Sequence, residues 1–322
     1  SLARIPAPEP VGRTRAVPSS PEASRGTESA PPSRRGAKRL PRRAAAGRRS
    51  FTSTLKALDA LAASGAQVSV RIDDLDLGSA VLAGDDFRSL PIAGLGVVPL
   101  LVETAAQFEA GTLDPLEIID RAGIEPVAVS GLWQHLKAPA LPLIDVALLA
   151  ASSGDALAAN ALMSRVGLPA VRARVEQLGL TRSALMDSFR DTRGPDDAPH
   201  VALGAAREYA HLFAELVNST AVSAGVSAQV AEWLSHGHDL SLVAAATGLD
   251  PFAHDNDEHG LLFVNKTGRA SGIRTEAGVL AGPRAGVAYA LFVCFDDLSI
   301  AHRLRVHDAF RVLGVELMEY VY

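Results

Sequence analysis

Apolar residues recur at helical spacing from Val97 to Asp250, and the period-2 alternation of strands appears only on either side of that block. Upstream, "STLKALDALAASG" has helical spacing and stops at Gly65, and "AQVSVRIDDLDLGSAVLAGDD" alternates apolar and polar residues about a turn near Gly78. Downstream, "GLLFVNKTG", "GIRTEAGVLAGP" and "GVAYALFVCFDD" read as three strands, and "IAHRLRVHDAFRVLGVELMEYV" as a closing helix. This order predicts an α+β fold with one five-stranded antiparallel sheet. Both ends of the chain build the sheet, the terminal helices cover one face, and a helical block is inserted at about residues 95–250. Within the block, "GTLDPLEIIDRAG" reads as a helix with a proline just inside its start. "LPLIDVALLAAS", "ALAANALMSRVG", "LPAVRARVEQLG" and "LGAAREYAHLFAELVN" read as further helices, and no internal repeat is visible.

The strand pattern begins late because the first 50 residues are of another kind. They carry 12 Lys+Arg against 3 Asp+Glu, with eight prolines and few large apolar residues, whereas the remainder carries 19 basic against 33 acidic residues. Such a stretch buries too little surface to offset its ordering entropy, so residues 1–50 are expected to be a disordered basic tail and residues 51–322 the folded domain. The run "RRGAKRLPRRAAAGRR" invites a nucleic-acid reading, but a solvated tail or targeting remnant is the expectation. The chain has 322 residues, 48% of them hydrophobic, enough for one large domain. Its one cysteine, Cys294, excludes a disulfide framework. No apolar run reaches the roughly 18–20 residues of a membrane span, and no secretory signal is visible; the sequence leaves the location open, with a cytoplasmic one favoured.

Chemistry concentrates in "LLFVNKTGRASG". A strand-like run ends in Asn265, Lys266, Thr267 and Gly268. A lysine followed by a small hydroxyl residue and a glycine suits an anion held beside a backbone. "HDNDEHG" (His254–Gly260) and "HGHD" (His236–Asp239) gather acids and histidines, but their spacing fits no zinc pattern, and solvated loops are the expectation. No metal or cofactor is expected. His135, His302 and His307 lie on helical segments and are read as packing or surface residues. Trp133 is read as core, and Cys294 as a buried, inert thiol.

Several segments together resemble the class A β-lactamase and penicillin-binding-protein superfamily of serine hydrolases. "FEAGTLDPLEIIDRAG", "VSGLWQHL" and "GDALAANALMSRVGLPAVRARVEQLGL" are similar to its helical stretches, and "VNKTG" to its K-[ST]-G strand, in the family's order over about residues 52–320. The resemblance implies a β-lactamase/transpeptidase-like fold. It also implies an S-x-x-K nucleophile and base at a helix start, an S-D-N proton relay, and Lys266, Thr267 and Gly268 facing a carboxylate-bearing, β-lactam or peptide-like ligand. Nucleic acid is not an expected partner.

The family's spacing places S-x-x-K on "GLGV", so the nucleophile position is Gly94 and the base position Val97. The S-D-N position falls on Gly154, Asp155 and Ala156. Glycine offers no attacking atom and valine no proton acceptor; Asp155 remains, which the resemblance implies is structural. Deleting one member of such a network would strand a buried polar group at roughly 1–3 kcal/mol, whereas replacing all four by small apolar residues avoids that cost. The glycines of "PIAGLGVVPLL" each cost roughly 1 kcal/mol in a helix interior, so this helix is expected to begin irregularly around Gly94–Val98. The loop "MDSFRDTRGPDDAPHVALGAA" has no glutamate in an E-x-x-L-N setting, and Asp187, Asp191, Asp196 and Asp197 are expected to be solvated.

Two literal matches are set aside. Ser53 and Lys56 fit S-x-x-K but stand in the first helix, where Ser53 reads as its cap. Ser89 lies near Gly94 but has no lysine three residues on. The leading expectation is a pseudoenzyme with a ligand-binding cleft. The alternatives are a weak hydrolase using Ser153, one residue before the S-D-N position, with Lys266 assisting, and an interaction module that docks through its basic tail.

Overall fold

The computed structural model describes residues 50–128, 131–252 and 260–322. The basic tail and most of the His254–Gly260 segment lie outside them. The elements in chain order are α1 (Thr52–Ala63), β1 (Gln67–Asp74), β2 (Ser79–Gly84), β3 (Leu90–Pro91), α2 (Val97–Glu109), β4 (Ile118–Asp120), β5 (Ala140–Pro142), α3 (Leu143–Ser152), α4 (Ala156–Val166), α5 (Leu168–Gln177), β6 (Ala184–Leu185), β7 (Ala202–Gly204), α6 (Ala206–Val217), α7 (Ala224–Ser235), β8 (Leu262–Ala270), β9 (Ile273–Ala281), β10 (Gly286–Cys294) and α8 (Ile300–Val321).

The main sheet has five strands in the order β2-β1-β10-β9-β8, all neighbours antiparallel. The two ends of the chain meet where β1 pairs with β10, from Gln67 opposite Cys294 to Asp74 opposite Val287. Strand alternation sorts the side chains of β10 onto two cores. Val287, Tyr289, Leu291 and Val293 join Leu58, Leu61, Phe310, Leu313 and Leu317 of the terminal helices. Ala288, Ala290 and Phe292 join the helical block on the other face, where the Tyr209 ring of α6 meets Phe292 edge-on at 5.9 Å. A strand covered on both faces reads as an unbroken apolar run, and each fully buried large side chain contributes about 1.5–3 kcal/mol.

α2 is buried along its length from Val97 to Ala106, so it is the core of the helical block rather than an amphipathic cover. A 3-10 turn at Ala93–Gly96 precedes it, the irregular start that its glycines predict, and Pro99 falls in its first turn, where no N–H is missed.

One expected helix is absent. "GTLDPLEIIDRAG" forms a turn, the strand β4 paired with β5, and a short 3-10 turn at Arg121–Gly123. The Asp114 carboxylate accepts the Leu116 N–H at 2.9 Å and the Asp120 carboxylate the Ala122 N–H at 2.8 Å, so local side-chain acceptors displace the helical ladder. Ser53 does not cap α1. Phe51 holds the cap position, and Glu316 of α8 accepts the N–H groups of Ser53 at 2.9 Å and Thr54 at 3.0 Å. Among the described residues no helix is long and apolar enough to cross a membrane.

Candidate functional site

The edge strand β8 faces the ends of α3 and α4 across a cleft of about 770 Å³. Gly94 and Val97 line its floor, Ser153 to Ala156 one wall, and Lys266, Thr267 and Arg269 the other, with Phe189, Arg190, Asp191, Arg193 and His200 at the mouth.

Ala93 opens the turn before α2 at φ 48°, a left-handed conformation that a non-glycine residue adopts at a cost of about 1–3 kcal/mol. Nothing in the sequence announces it. Gly94 follows with ordinary space around it: a Cβ there would stand 3.6 Å from the Thr267 carbonyl oxygen and 3.9 Å from the Gly268 Cα. Val97 is buried, its side chain supplying hydrocarbon at the cleft floor.

Asp155 caps α4. Its carboxylate accepts the Ala158 N–H at 2.9 Å and those of Leu132 and Trp133 at 2.7 Å each. A Cβ on Gly131 would strike that carboxylate at 2.4 Å, so the glycine and the aspartate require each other. Ala156 is the first residue of α4. Gly154 sits at φ +62°, and a Cβ there would stand 3.5 Å from the Lys266 Nζ. Ser153 closes α3, and its hydroxyl donates to the Leu149 carbonyl at 2.8 Å.

Lys266 points from β8 into the end of α3, where its ammonium donates to the carbonyls of Ala151 at 2.8 Å and Ala150 at 3.3 Å. These carbonyls form the negative end of the helix dipole and suit a cation. Burial lowers the Lys266 pKa to about 8, with Asp239 opposing the shift. Among the described residues no hydrogen bond joins Lys266 to the Ser153 hydroxyl.

Thr267 donates its hydroxyl to Asp239 Oδ2 at 2.6 Å. Asp239 was legible only as part of a histidine- and acid-rich loop, yet it is a cleft residue. Its Oδ1 accepts the Ser241 hydroxyl at 2.6 Å and the Ser241 N–H at 3.2 Å, and Arg269 Nε lies 3.3 Å from Oδ2. Burial raises its pKa, but Ser241, Thr267 and Arg269 outweigh burial and hold the carboxyl below its ordinary range. Gly268 does not line the cleft. A Cβ on it would meet the Ile92 carbonyl oxygen at 2.0 Å and Leu95 N at 2.9 Å, so its role is to let β8 lie against the turn before α2.

Asp187 is not simply solvated, as the loop composition suggested. It accepts from Arg193 at 2.9 Å and lies 3.4 Å from Arg190, while Asn160 of α4 clasps Phe189, accepting its N–H and donating to its carbonyl at 2.8 Å each. Asp191 accepts the Ala128 N–H at 3.0 Å, tying the loop to its neighbour.

The remaining candidates lie elsewhere. Ser89 donates to the Arg182 carbonyl at 2.7 Å, and Ser53 is bound to α8. Trp133 is fully buried in the helical core. Cys294 ends β10 half-buried, its thiol pushed up to about 11 by burial. His135 is exposed, His302 buried and His307 partly covered. No metal-ligating cluster occurs among the described residues.

A family model described as the β-lactamase enzyme family matches residues 50–321. Among solved structures, the β-lactamase from Sphaerobacter thermophilus is 21% identical, with 84% of this chain and 97% of that chain covered and a TM-score of 0.72. PBP-A is 17% identical, covered over 84% and 95% with a TM-score of 0.68. The chromosome-encoded β-lactamase of Vibrio parahaemolyticus is 14% identical, covered over 84% and 98% with a TM-score of 0.68. At these identities the structures speak for the fold. No curated protein matches the sequence.

Proposed function

We propose, on the premise that the chain belongs to the β-lactamase enzyme family, that this member binds a carboxylate-bearing ligand or partner segment in its cleft and does not acylate itself. The observation that carries this reading is the composition of the cleft floor. By the family's spacing Gly94 falls at the nucleophile position and Val97 at that of its base; both line the cleft, and Lys266, which lines it with them, donates to backbone carbonyls. A nucleophilic serine needs a proton acceptor within hydrogen-bond reach, and Val97 supplies none. Gly154 and Ala156 likewise offer no side-chain atom to relay a proton to a leaving group.

The ligand class follows from charge. Four cations, Lys266, Arg269, Arg190 and Arg193, line the cleft against three carboxylates, Asp155, Asp191 and Asp239, of which Asp155 is buried and held by backbone N–H groups. Charge-assisted hydrogen bonds from such cations favour an anion over a neutral guest. Hydrolysis through Ser153 is disfavoured because its hydroxyl donates along its own helix rather than to a base.

Incubation with nitrocefin, penicillin and p-nitrophenyl esters, followed by intact-mass measurement, tests the non-acylating part. An unchanged mass and no turnover are expected. A stoichiometric covalent adduct would overturn the proposal, and its loss in Ser153→Ala would transfer the role to that residue.

A further inference from the structure

The geometry points to Asp239 as a built-in competitor for the cleft's anion site. Its carboxylate occupies the place beside Lys266 and Thr267 that a ligand carboxylate would take, so such a ligand binds only by displacing it. This inference rests on the carboxylate-ligand reading above.

Three observations support it. A threonine hydroxyl carries one proton, and that of Thr267 goes to Asp239 Oδ2 at 2.6 Å, leaving no donor for a second carboxylate. Arg269, which reaches this position, is also engaged, with Nε 3.3 Å from Asp239 Oδ2 and an Nη2 donor bond to the Ser241 hydroxyl. The competing carboxylate is positioned rather than adventitious. Ser241 fixes Oδ1 through its hydroxyl and its N–H, and Asn265 Nδ2 donates to the Asp239 carbonyl at 3.3 Å. An incoming carboxylate therefore meets a like charge and two donors already in use, and the two anions exclude each other.

Asp239 is also the replaceable partner. Its side chain is about one-third exposed, at 35% against 6% for the whole Lys266 residue, and rotating it toward solvent frees Thr267 and Arg269 without moving β8. The cleft is thus self-ligated when empty, and Asp239 sets how strong an external anion must be.

The test uses the full chain, its Asp239→Ala and Asp239→Asn variants, and two probes of one shape: benzylpenicillin, which carries a carboxylate, and its neutral methyl ester. Calorimetry should show benzylpenicillin binding Asp239→Ala at least about tenfold more tightly than wild type, about a 1.4 kcal/mol gain, with the ester unchanged. Asp239→Asn, which removes the charge but keeps one acceptor oxygen, for either Thr267 or Ser241, should gain less and carries the test if the alanine variant does not fold. Added formate should raise the melting temperature of Asp239→Ala and not that of wild type, because it refills the vacated site. If wild type binds benzylpenicillin and neither variant binds it more tightly, the competitor role is overturned while the carboxylate reading stands. If none of the three proteins binds it, both are overturned.

Discussion

Gly94 and Gly268 look alike in the sequence, each a glycine beside the cleft, yet their surroundings assign them opposite tolerances. A Cβ on Gly94 meets only ordinary contacts at 3.6 Å and beyond, whereas one on Gly268 meets a backbone oxygen at 2.0 Å. Gly268→Ala should therefore force β8 away from the turn before α2 and cost about 3 kcal/mol, as overpacking against backbone does. Gly94→Ser should stay within about 1 kcal/mol of wild type, since it also restricts the unfolded chain. Urea unfolding of both variants decides this, and equal losses would show that the spacing argument is wrong. The lysine, threonine and glycine of this strand were legible because a buried-looking run leads straight into them. Asp239 was not, because its partner Thr267 is 28 residues away and only folding brings them together. The nearest signal was Ser241 two residues on, a spacing that favours a local turn around an aspartate.

At the scale of elements, strands and long helices were readable wherever one periodicity ran without competition. β10 alternates between two apolar cores, and α8 repeats buried residues at three- and four-residue spacing for 22 residues. The segment after α2 misled because "LDPLEIID" carries a turn signal, Asp-Pro, inside an apparently helical pattern. The start of α1 misled for another reason: its cap comes from the far end of the chain. Glu316 is pushed up by burial, but the donors of Thr54 and Ser53 outweigh that and hold its carboxyl below the ordinary range. A depressed carboxyl contributes stability above its unfolded pKa and loses it as pH falls through the folded one. Glu316→Gln should therefore cost about 1 kcal/mol near pH 7, the worth of a helix cap, with a partly exposed site keeping the figure small. The gap between variant and wild type should close in acid. Thermal melts across that range check it, and a gap that persists at low pH would reassign Glu316 to packing alone.

Across the whole molecule, the least readable feature is the one that joins its parts. Glu276 is a charged residue in the apolar run of β9, and it is fully buried. It accepts from Tyr289 of β10 at 2.7 Å, from Asn265 of β8 at 2.9 Å and from the N–H of Val243 at 2.7 Å. Val243 begins the 3-10 turn on which α8 rests, so close that a Cβ on Gly314 would stand 2.2 Å from its carbonyl oxygen. Asn265 also holds the main chain of Asp239 at 3.3 Å. One carboxyl thus ties the sheet, the terminal helix and the segment that enters the cleft. Burial raises its pKa to about 7 despite those three donors, and Asp239 adds to the rise. A raised carboxyl contributes stability that is complete below its unfolded pKa of about 4.5 and is lost as pH climbs through about 7. Its loss across that window amounts to something on the order of 3 kcal/mol. Glu276→Gln is neutral throughout and sacrifices one hydrogen bond, to the Val243 N–H, by an amount independent of pH. The stability of wild type relative to this variant should fall steadily from about pH 5 to about pH 8, the titrations of all other groups cancelling in the difference. Urea unfolding of both proteins at intervals across that range measures it, and two parallel stability curves would mean that Glu276 stays ionised and that the donors, not burial, govern it.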